Sequence, residues 1–200
     1  MAYTLNSTDY DCYEGTTVLI NKFGIRSQAE LDEIEMLLAG YKTLEILNGP
    51  LETPFTFSDY RQIHQYIFGD IYDWAGKVRT ISLAKSATKF TEPEKIEERG
   101  KRIFQRIAKM NYLCGLNKQE LVFQVTDLYH NLNMLHPFRE GNGRTERIFI
   151  TKLIRNAGFE IDITRGNSDL LMIGTIQAAA GVMDNLALFF DENIAPNMTL

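Results

Sequence analysis

Cysteine is scarce in this chain. Its two cysteines, Cys12 and Cys114, stand far apart, with no CxxC or paired-histidine spacing around them. This scarcity argues against a disulfide framework and a structural zinc site, and it makes a reducing cytoplasm the simpler setting. Long apolar runs are also lacking, since none approaches the roughly 18 residues of a membrane span. The first residues lack the basic and apolar regions of a secretory signal. We therefore expect a soluble, cytoplasmic protein with no membrane partner.

An excess of basic residues is missing as well. The net charge is -5 over 200 residues, so no broad basic surface indicates direct nucleic-acid binding. The chain also lacks internal repeats, low-complexity tracts and linkers rich in Pro, Gly and Ser. An apolar share of 44% in a chain of this length suits one compact domain with a sizeable core. The prediction is a single domain over residues 1–200.

Capping and stop signals divide most of this domain into helices. Residues 1–26 are rich in turn formers and aromatics, and they indicate an arm that lies across the domain. Serine, threonine or asparagine with an acidic residue close behind predicts helix starts at or near Ser27, Ser58, Thr91, Asn117 and Ser168. The first three helices are expected to end near Asn48, Gly76 and Met110.

Two segments complete this reading of the fold. Residues 77–91 place Val78, Ile81 and Leu83 among Thr, Ser and Ala, which favours a short β-hairpin over a helix. Residues 168–193 predict C-terminal helices, with a break at Gly181. The expected fold class is mainly α, a helical bundle with one small hairpin.

The central helix is predicted from its apolar stripe. Apolar residues recur at spacings of four and three, which is the pattern of a buried helix face: Leu121, Val125, Leu128, Leu132 and Leu135. Pro137 disfavours helical geometry in the residue before it, so this helix must end close to His136. Helix is expected to resume near Arg144 and to stop at Gly158, which makes 117–158 a helix-loop-helix.

The loop between these helices carries the most informative residues. Gly141 and Gly143 flank Asn142 just before a helix start, where glycines let an anion approach backbone N–H groups closely. A helix N-terminus adds unsatisfied N–H donors that favour phosphate. Arg144 and Arg147 lie on the same side of the first turn and could bind a polyphosphate.

Two further side chains suggest a reaction at this loop. Glu140 would repel phosphate unless a cation lay between them, and Mg²⁺ suits that place. His136 can take a proton from an incoming hydroxyl near neutral pH. These residues predict phosphoryl or nucleotidyl transfer to a hydroxyl, although their spacing leaves open which phosphorus is attacked. Each feature alone has an ordinary structural explanation: a helix-end histidine, a tight turn or a solvated arginine face. Their concentration in one short segment favours the catalytic interpretation.

The segment from His136 to Arg147 resembles the signature HxFx(D/E)GNGRxxR of the Fic (filamentation induced by cAMP) family, with no departure from it. The resemblance extends to residues 63–68 and 72–76, which are similar to the helix before the family's flap. Residues 15–19 and 21–25 are similar to the N-terminal arm of its bacterial toxin members. It covers most of the chain and implies the Fic fold, a helical bundle around the central helix-loop-helix.

The resemblance implies a protein adenylyltransferase that moves AMP from ATP, as co-substrate, onto a Ser, Thr or Tyr hydroxyl of a target protein. It makes His136 the base and Glu140 the Mg²⁺ ligand. It assigns the anion hole and the grip on the outer phosphates to Gly141, Asn142 and Gly143, and to Arg144 and Arg147, respectively.

The resemblance also suggests where the substrates bind. Residues 81–90 would form the flap, which docks the target by strand addition, and residues 177–188 would wall the adenine pocket. Lys85 and Lys89 are interpreted as solvated charge. Relatives that phosphorylate resemble a variant with Lys in place of Gly143, so glycine favours AMP transfer, while transfer of UMP or phosphocholine stays open.

Regulation is predicted from a motif that the chain does not complete. Many family members carry an inhibitory helix with the pattern (S/T)xxxE(G/N), but Glu14 and Glu192, each followed by Gly or Asn, have Tyr10 and Leu188 four residues earlier. We therefore expect a toxin restrained by a small separate antitoxin that supplies the inhibitory helix, with the segment around Glu192 as the alternative brake. Type II DNA topoisomerase subunits, which toxin members modify, are the first candidate targets.

Two other functions compete with this interpretation. A non-catalytic module could use the same loop to sense nucleotides, and it would not need His136. A helix-turn-helix DNA binder is disfavoured by the negative net charge. His64 and His130 are interpreted as structural or surface residues, because neither adjoins another catalytic group in the sequence.

Overall fold

The computed structural model describes residues 4–5, 11–49, 55–85, 88–163, 166 and 168–197. Within them the helices are Gln28–Asn48 (α1), Phe57–Phe68 (α2), Pro93–Lys109 (α3), Lys118–Leu135 (α4), Asn142–Asn156 (α5), Ser168–Ala179 (α6) and Asp184–Asn193 (α7). The strands are Thr4–Leu5 (β1), Leu83–Lys85 (β2), Thr88–Lys89 (β3), Phe159–Ile161 (β4) and Ile194–Pro196 (β5), and Asn111–Leu113 is a 3₁₀ turn. The structure confirms a mainly helical fold. In this part of the chain, every helix is too short or too polar to cross a bilayer.

Helix α4 lies at the centre of the domain. Asn117 and Glu120 form the predicted capping box, in which each side chain accepts a hydrogen bond from the other residue's backbone N–H. The helix packs against α3, α5, α6 and α7. Its buried side chains include the whole predicted stripe: Leu121, Val125, Leu128, Leu132 and Leu135. Burial of this stripe fixes the position of the helix end that carries the functional loop.

The loop after α4 is tighter than predicted. Helix α4 ends at His136, whose backbone is left-handed at φ 43° and ψ 60°. Helix α5 then begins at Asn142, two residues before the predicted start at Arg144, because Gly141 at φ 77° turns the chain directly into the helix. Gly158, at φ 88°, follows the end of α5.

Two other helix boundaries were predicted wrongly. Helix α2 ends at Phe68 rather than near Gly76, and its cap is Gly69. The prediction failed because Ile71, in the turn beyond the helix, is as fully buried as the helical Ile67, so the apolar spacing continues past the helix. Helix α3 starts at Pro93 without a capping box, since the hydroxyl of Thr91 donates instead to the carbonyl of Met134 at 2.9 Å.

The strands form two small sheets. The predicted hairpin is present as β2 and β3, although residues 86 and 87 at its tip lie outside the described residues. Strand β1 pairs antiparallel with β2, with Thr4 opposite Ala84 and Leu5 opposite Leu83, which gives the order β1-β2-β3. Strands β4 and β5 pair elsewhere. Neither β1 nor the second sheet was predicted, because two or three residues are too few to show an alternating pattern.

The described part of the N-terminal arm covers α1 and α2. Cys12 and Leu19 form an isolated antiparallel bridge, and both are buried together with Val18 in a second apolar cluster. Helix α1 begins with the predicted cap, in which the hydroxyl of Ser27 accepts from the N–H of Glu30 at 3.5 Å. Helices α1 and α2 pack against each other and against α5, so both elements border the functional loop.

Candidate active site

His136 is held at the end of α4 in one protonation form. Its Nδ1 lies 3.1 Å from the carbonyl oxygen of Asn133. A carbonyl can only accept a hydrogen bond, so Nδ1 carries the proton and Nε2 carries the lone pair. The imidazole is buried, with 6% of the residue exposed. This is the form that a general base requires.

The surroundings of His136 keep it neutral. Burial lowers the pKa of its imidazole to about 3, and the nearby charges of Arg79 and Lys85 lower the pKa further, against the raising effect of the hydrogen bond to Asn133. The ring of Phe90 stacks on the imidazole, with centroids 3.7 Å apart and an interplanar angle of 10°. A polyphosphate beside this ring would raise the pKa back towards the range in which a base works efficiently.

The flap is attached to this histidine by Arg79. The Nε of Arg79 donates to the carbonyl of His136 at 2.7 Å, and its two Nη atoms donate to the carbonyls of Ile81 and Thr91 at 2.5 Å each. The backbone N–H of Arg79 donates to Pro137. Only 5% of Arg79 is exposed. One buried guanidinium therefore joins both ends of the hairpin to the loop, and no local pattern in the sequence indicated this role.

The loop itself is shaped by Asn142. Its side-chain oxygen accepts from the N–H of Phe138 at 2.9 Å, and its side-chain nitrogen donates to the carbonyl of Phe138 at 2.8 Å. Phe138 is fully buried among core residues. The Asn142 side chain thus closes the loop, and the group that it can offer to an anion is its backbone N–H. With glycine at the N-cap, the first turn of α5 has no side-chain cap, which suits an anion site.

The two glycines of the loop are required for different reasons. A Cβ on Gly141 would lie 2.4 Å from the ring of Phe68, and its positive φ also disfavours a side chain. A Cβ on Gly143 would lie 3.2 Å from Nη1 of Arg147. Gly141 therefore lets the loop pass against α2, whereas Gly143 leaves room for the arginine.

Glu140 borders the loop as a half-buried carboxylate. Its Oε1 accepts from the N–H of Gly141 at 2.8 Å. Within the described residues, no three His, Cys, Asp or Glu side chains cluster as a metal cage. A single carboxylate next to an anion site fits Mg²⁺, which keeps several waters and binds through one or two carboxylates together with substrate phosphates.

The two arginines of the signature have different partners. An Nη of Arg144 lies 2.5 Å from the carboxylate of Glu35 on α1, and its guanidinium lies 4.5 Å from the centre of the Phe68 ring. The hydroxyl of Tyr72 donates to the same Glu35 at 2.5 Å. Arg147 instead hydrogen-bonds the phenol of Tyr129. The sequence placed both arginines together, but it did not predict that α1 would hold one of them.

A groove opens beside these arginines. It has a volume of about 1050 Å³ and lies between α1, α5 and β4. Polar and apolar residues share its lining, among them Glu35, Met36, Leu44, Arg144, Arg147 and Arg155. The arginines are therefore reachable from a surface that the loop alone does not form.

Two buried ionisable groups lie close to the loop, outside the predicted set. His64 on α2 contacts the carbonyl of Glu140 at 2.9 Å, and burial lowers the pKa of its imidazole to about 4. It was correctly expected to be structural, but its contact with the loop was missed. Burial raises the pKa of the Glu146 carboxyl on α5, against the opposing effects of Arg147 and the backbone of Asn133. Its Oε1 has no hydrogen-bond partner among the described residues.

Comparison with known proteins identifies relatives of this arrangement. Residues 54–154 match the model of the Fic/DOC family. The probable protein adenylyltransferase y4lH of Sinorhizobium fredii is 36% identical over 178 residues, which are 88% of this chain and 91% of that protein. Protein adenylyltransferase VbhT of Bartonella schoenbuchensis is 35% identical over 179 residues; this match covers 90% of this chain but 37% of VbhT.

A solved structure shows the same fold. The BepC protein of Bartonella tribocorum, a VirB-translocated effector crystallised with bound AMPPNP, superimposes with a TM-score of 0.86. It is 26% identical, and the match covers 93% of this chain and 96% of that one.

Proposed function

Since this chain belongs to the Fic/DOC family and is a protein adenylyltransferase, we propose that it transfers AMP from ATP onto a Ser, Thr or Tyr hydroxyl of another protein. One observation carries the proposal. A neutral His136, protonated on Nδ1, stands at one end of a short loop, and the uncapped N-terminus of α5 stands at the other. A base and an anion site thus lie side by side, as transfer of a phosphorus group to a hydroxyl requires.

His136 is the general base of the proposed reaction. The target hydroxyl oxygen bonds to the α-phosphorus of ATP while its proton passes to Nε2 of His136. The bond between the α-phosphorus and the oxygen bridging to the β-phosphate breaks, and pyrophosphate leaves. The hydrogen bond to Asn133 and the stacked ring of Phe90 fix the imidazole, so little motion is needed when the proton moves.

The phosphates are bound by the first turn of α5. The backbone N–H groups of Asn142 and Gly143 are the proposed anion hole, because the Asn142 side chain is already engaged with Phe138. Arg144 is paired with Glu35, so we assign the larger share of the outer-phosphate binding to Arg147. Glu140 would hold Mg²⁺, which when bound would neutralise phosphate charge and assist departure of the leaving group.

The target protein is proposed to dock at the flap. In the sheet order β1-β2-β3, the outer strands β1 and β3 present the edges to which an extended target segment could add. Arg79 connects this hairpin to His136, so a strand bound there would be fixed relative to the base. Type II DNA topoisomerase subunits are the first targets to test.

A small antitoxin is the proposed regulator, and α1 supports this proposal. The helix exposes four large apolar side chains, each with 63% to 68% of its surface accessible: Met36, Leu37, Tyr41 and Leu44. Two of them, Met36 and Leu44, line the groove that also contains Arg147. A partner helix in this groove would cover apolar surface and could bring an acidic side chain to Arg147. Glu192, the alternative brake, lies exposed in the last turn of α7.

Position-specific radiolabels test the transfer. Purified protein and candidate targets incubated with α-³²P-ATP are expected to yield labelled protein, whereas γ-³²P-ATP is expected to yield none. His136→Asn keeps a residue that tolerates left-handed backbone, and it should lower labelling by about 10²–10⁴-fold through loss of the base. His130→Asn, a change of half-buried histidine on α4, is the matched control and should label normally.

Other outcomes would identify other functions. Label arriving from γ-³²P-ATP would indicate a kinase, and stronger labelling by α-³²P-UTP would indicate UMP transfer. ATP binding without any covalent label, unchanged in His136→Asn, would replace the enzyme with a nucleotide-sensing module.

A further inference from the structure

His64 connects two parts of the proposed active site. Its side chain is fully buried on α2. On one side, the N–H of Gly76 donates to Nδ1 at 2.8 Å. On the other side, Nε2 lies 2.9 Å from the carbonyl oxygen of Glu140. The ring therefore spans the gap between the turn that leads into the flap and the residue that carries the loop carboxylate.

These contacts specify one form of the ring. A backbone N–H can only donate, so Nδ1 must accept and be unprotonated. A carbonyl oxygen can only accept, so Nε2 must carry the proton and donate. Both hydrogen bonds are satisfied only by the neutral Nε2–H tautomer. His136 has the opposite arrangement, with its proton on Nδ1.

The packing around His64 leaves little room for adjustment. Its ring stacks on Phe138 with centroids 3.8 Å apart, and the ring of Phe68 lies 4.8 Å away on centroids. Gly76 has a positive φ, and a Cβ on it would lie 2.8 Å from that of Gln65. The ring and both of its backbone partners are thus confined by neighbours, which is the condition for a side chain to set a distance.

We propose that His64 is a positioning residue that fixes the backbone of Glu140 relative to the root of the flap. Gly76 begins the segment that brings Arg79 to the carbonyl of His136, and Glu140 carries the carboxylate assigned to Mg²⁺. The brace therefore keeps the target-docking element and the metal-phosphate site in one geometry. This inference rests on the proposed function for the meaning of its two ends, but its hydrogen bonds can be tested without any transfer reaction.

Two substitutions separate the ends of the brace. The amide of Asn reaches about the position of Nδ1, so His64→Asn can keep the acceptor for Gly76 while losing the donor to Glu140. The longer Gln places its amide near Nε2, so His64→Gln can keep the donor and lose the acceptor. We expect His64→Asn to raise the Mg²⁺ concentration for half-maximal labelling about 10-fold, as for other groups that orient metal ligands. His64→Gln is expected to keep the wild-type Mg²⁺ requirement.

Hydrogen exchange locates the two losses independently. His64→Gln should speed exchange of the Gly76 amide and leave the loop at 138–142 protected, and His64→Asn should do the reverse. The controls are His130→Asn and His130→Gln, which should change neither region nor the Mg²⁺ requirement. Equal effects of the two His64 variants on both regions, or an unchanged Mg²⁺ requirement in His64→Asn, would overturn the proposal.

Nitrogen NMR of the wild-type protein tests the brace even where a variant fails to fold. With ¹⁵N-labelled histidine, His64 should show the Nε2–H tautomer at neutral pH, whereas an Nδ1–H tautomer or an imidazolium would refute the inference. Absence of protein labelling by the wild type would count against the proposed function alone, because the tautomer and the exchange pattern do not depend on transfer.

Discussion

Helices α1 and α4 are similar in length but differ in what their side chains contact. Helix α4 has 18 residues and buries eight of them, whereas α1 has 21 residues and buries only Leu31 and Ala39. The side chains of α4 meet four other helices and end in the loop that carries His136. The side chains of α1 include the four exposed apolar residues beside the groove, and its functional contact is the pair between Glu35 and Arg144.

The difference separates two uses of apolar surface. In α4 it is buried inside the domain, where it stabilises the fold and fixes the base. In α1 it lies at the surface, next to charged groups of the proposed active site, which favours an interaction with another molecule. Substitutions should therefore affect stability through α4 and its loop, and affect regulation through α1.

The largest effect is expected at the rigid end of this comparison, in Gly141→Ala. The new Cβ would meet the Phe68 ring at 2.4 Å with the backbone at φ 77°. The left-handed backbone costs about 1–2 kcal/mol, and overpacking adds about 1–3 kcal/mol. We expect unfolding free energy to fall by about 2–5 kcal/mol in urea titrations, with AMP transfer falling as well because the loop must move.

Gly158→Ala is the matched control for backbone strain. Gly158 has a similar φ of 88°, and a Cβ there would have nothing within 4 Å. It should lose only the backbone contribution, about 1–2 kcal/mol, and keep normal transfer. Equal losses in the two variants would show that contact with α2 does not constrain the loop.

A leucine pair compares the two helices directly. Leu128 on α4 has 1% of its surface exposed and Leu44 on α1 has 63%. Leu128→Ala should cost about 2–5 kcal/mol of unfolding free energy, through lost burial and the cavity that remains. Leu44→Ala should stay within about 0.5 kcal/mol of wild type and label normally as the isolated chain. A large stability loss in Leu44→Ala would mean that α1 is part of the core after all.

Local features of the fold could be predicted from the sequence. The capping box at Asn117 and Glu120 depends on residues three apart, and the stripe of α4 depends on a period that burial enforces. The loop residues follow each other in the chain, so their grouping from His136 to Arg147 was visible without a structure. The end of α2 was predicted wrongly because burial continued at Ile71 after the helix had stopped.

The supports of the loop could not be predicted, because they come from distant parts of the chain. Arg79 reaches a carbonyl 57 residues away and His64 reaches one 76 residues away. Glu35 and Arg144 are brought together only by the packing of α1 against α5. A sequence shows which residues can donate or accept, but the fold decides which distant partner each one meets.

The smallest predicted effect concerns protons on the buried side of the comparison. The pKa values of His64 and His136 fall from 6.5 to about 4 and about 3 on folding, mainly through burial. Between pH 5 and 6, each binds a proton in the unfolded chain but not in the fold, so stability decreases as pH falls below 6.5. Burial raises the pKa of Glu146 above 4.5, so in this window it keeps a proton in the fold that the unfolded chain has lost.

The Glu146→Gln variant separates these opposing contributions. For wild type, two protons gained on unfolding and one lost leave a net of one, so unfolding free energy should rise by about 1.4 kcal/mol per pH unit between pH 5 and 6. Glu146→Gln removes the opposing proton, and the slope should rise to about 2.7 kcal/mol per pH unit. Urea titrations at several pH values measure both slopes, and groups unchanged by the substitution cancel in their difference. His130→Gln, at a half-buried position where burial also lowers the pKa, should reduce the slope by less than one proton. Equal slopes for wild type and Glu146→Gln would mean that this carboxyl is ionised in the fold, and that Arg147 compensates its charge despite the burial.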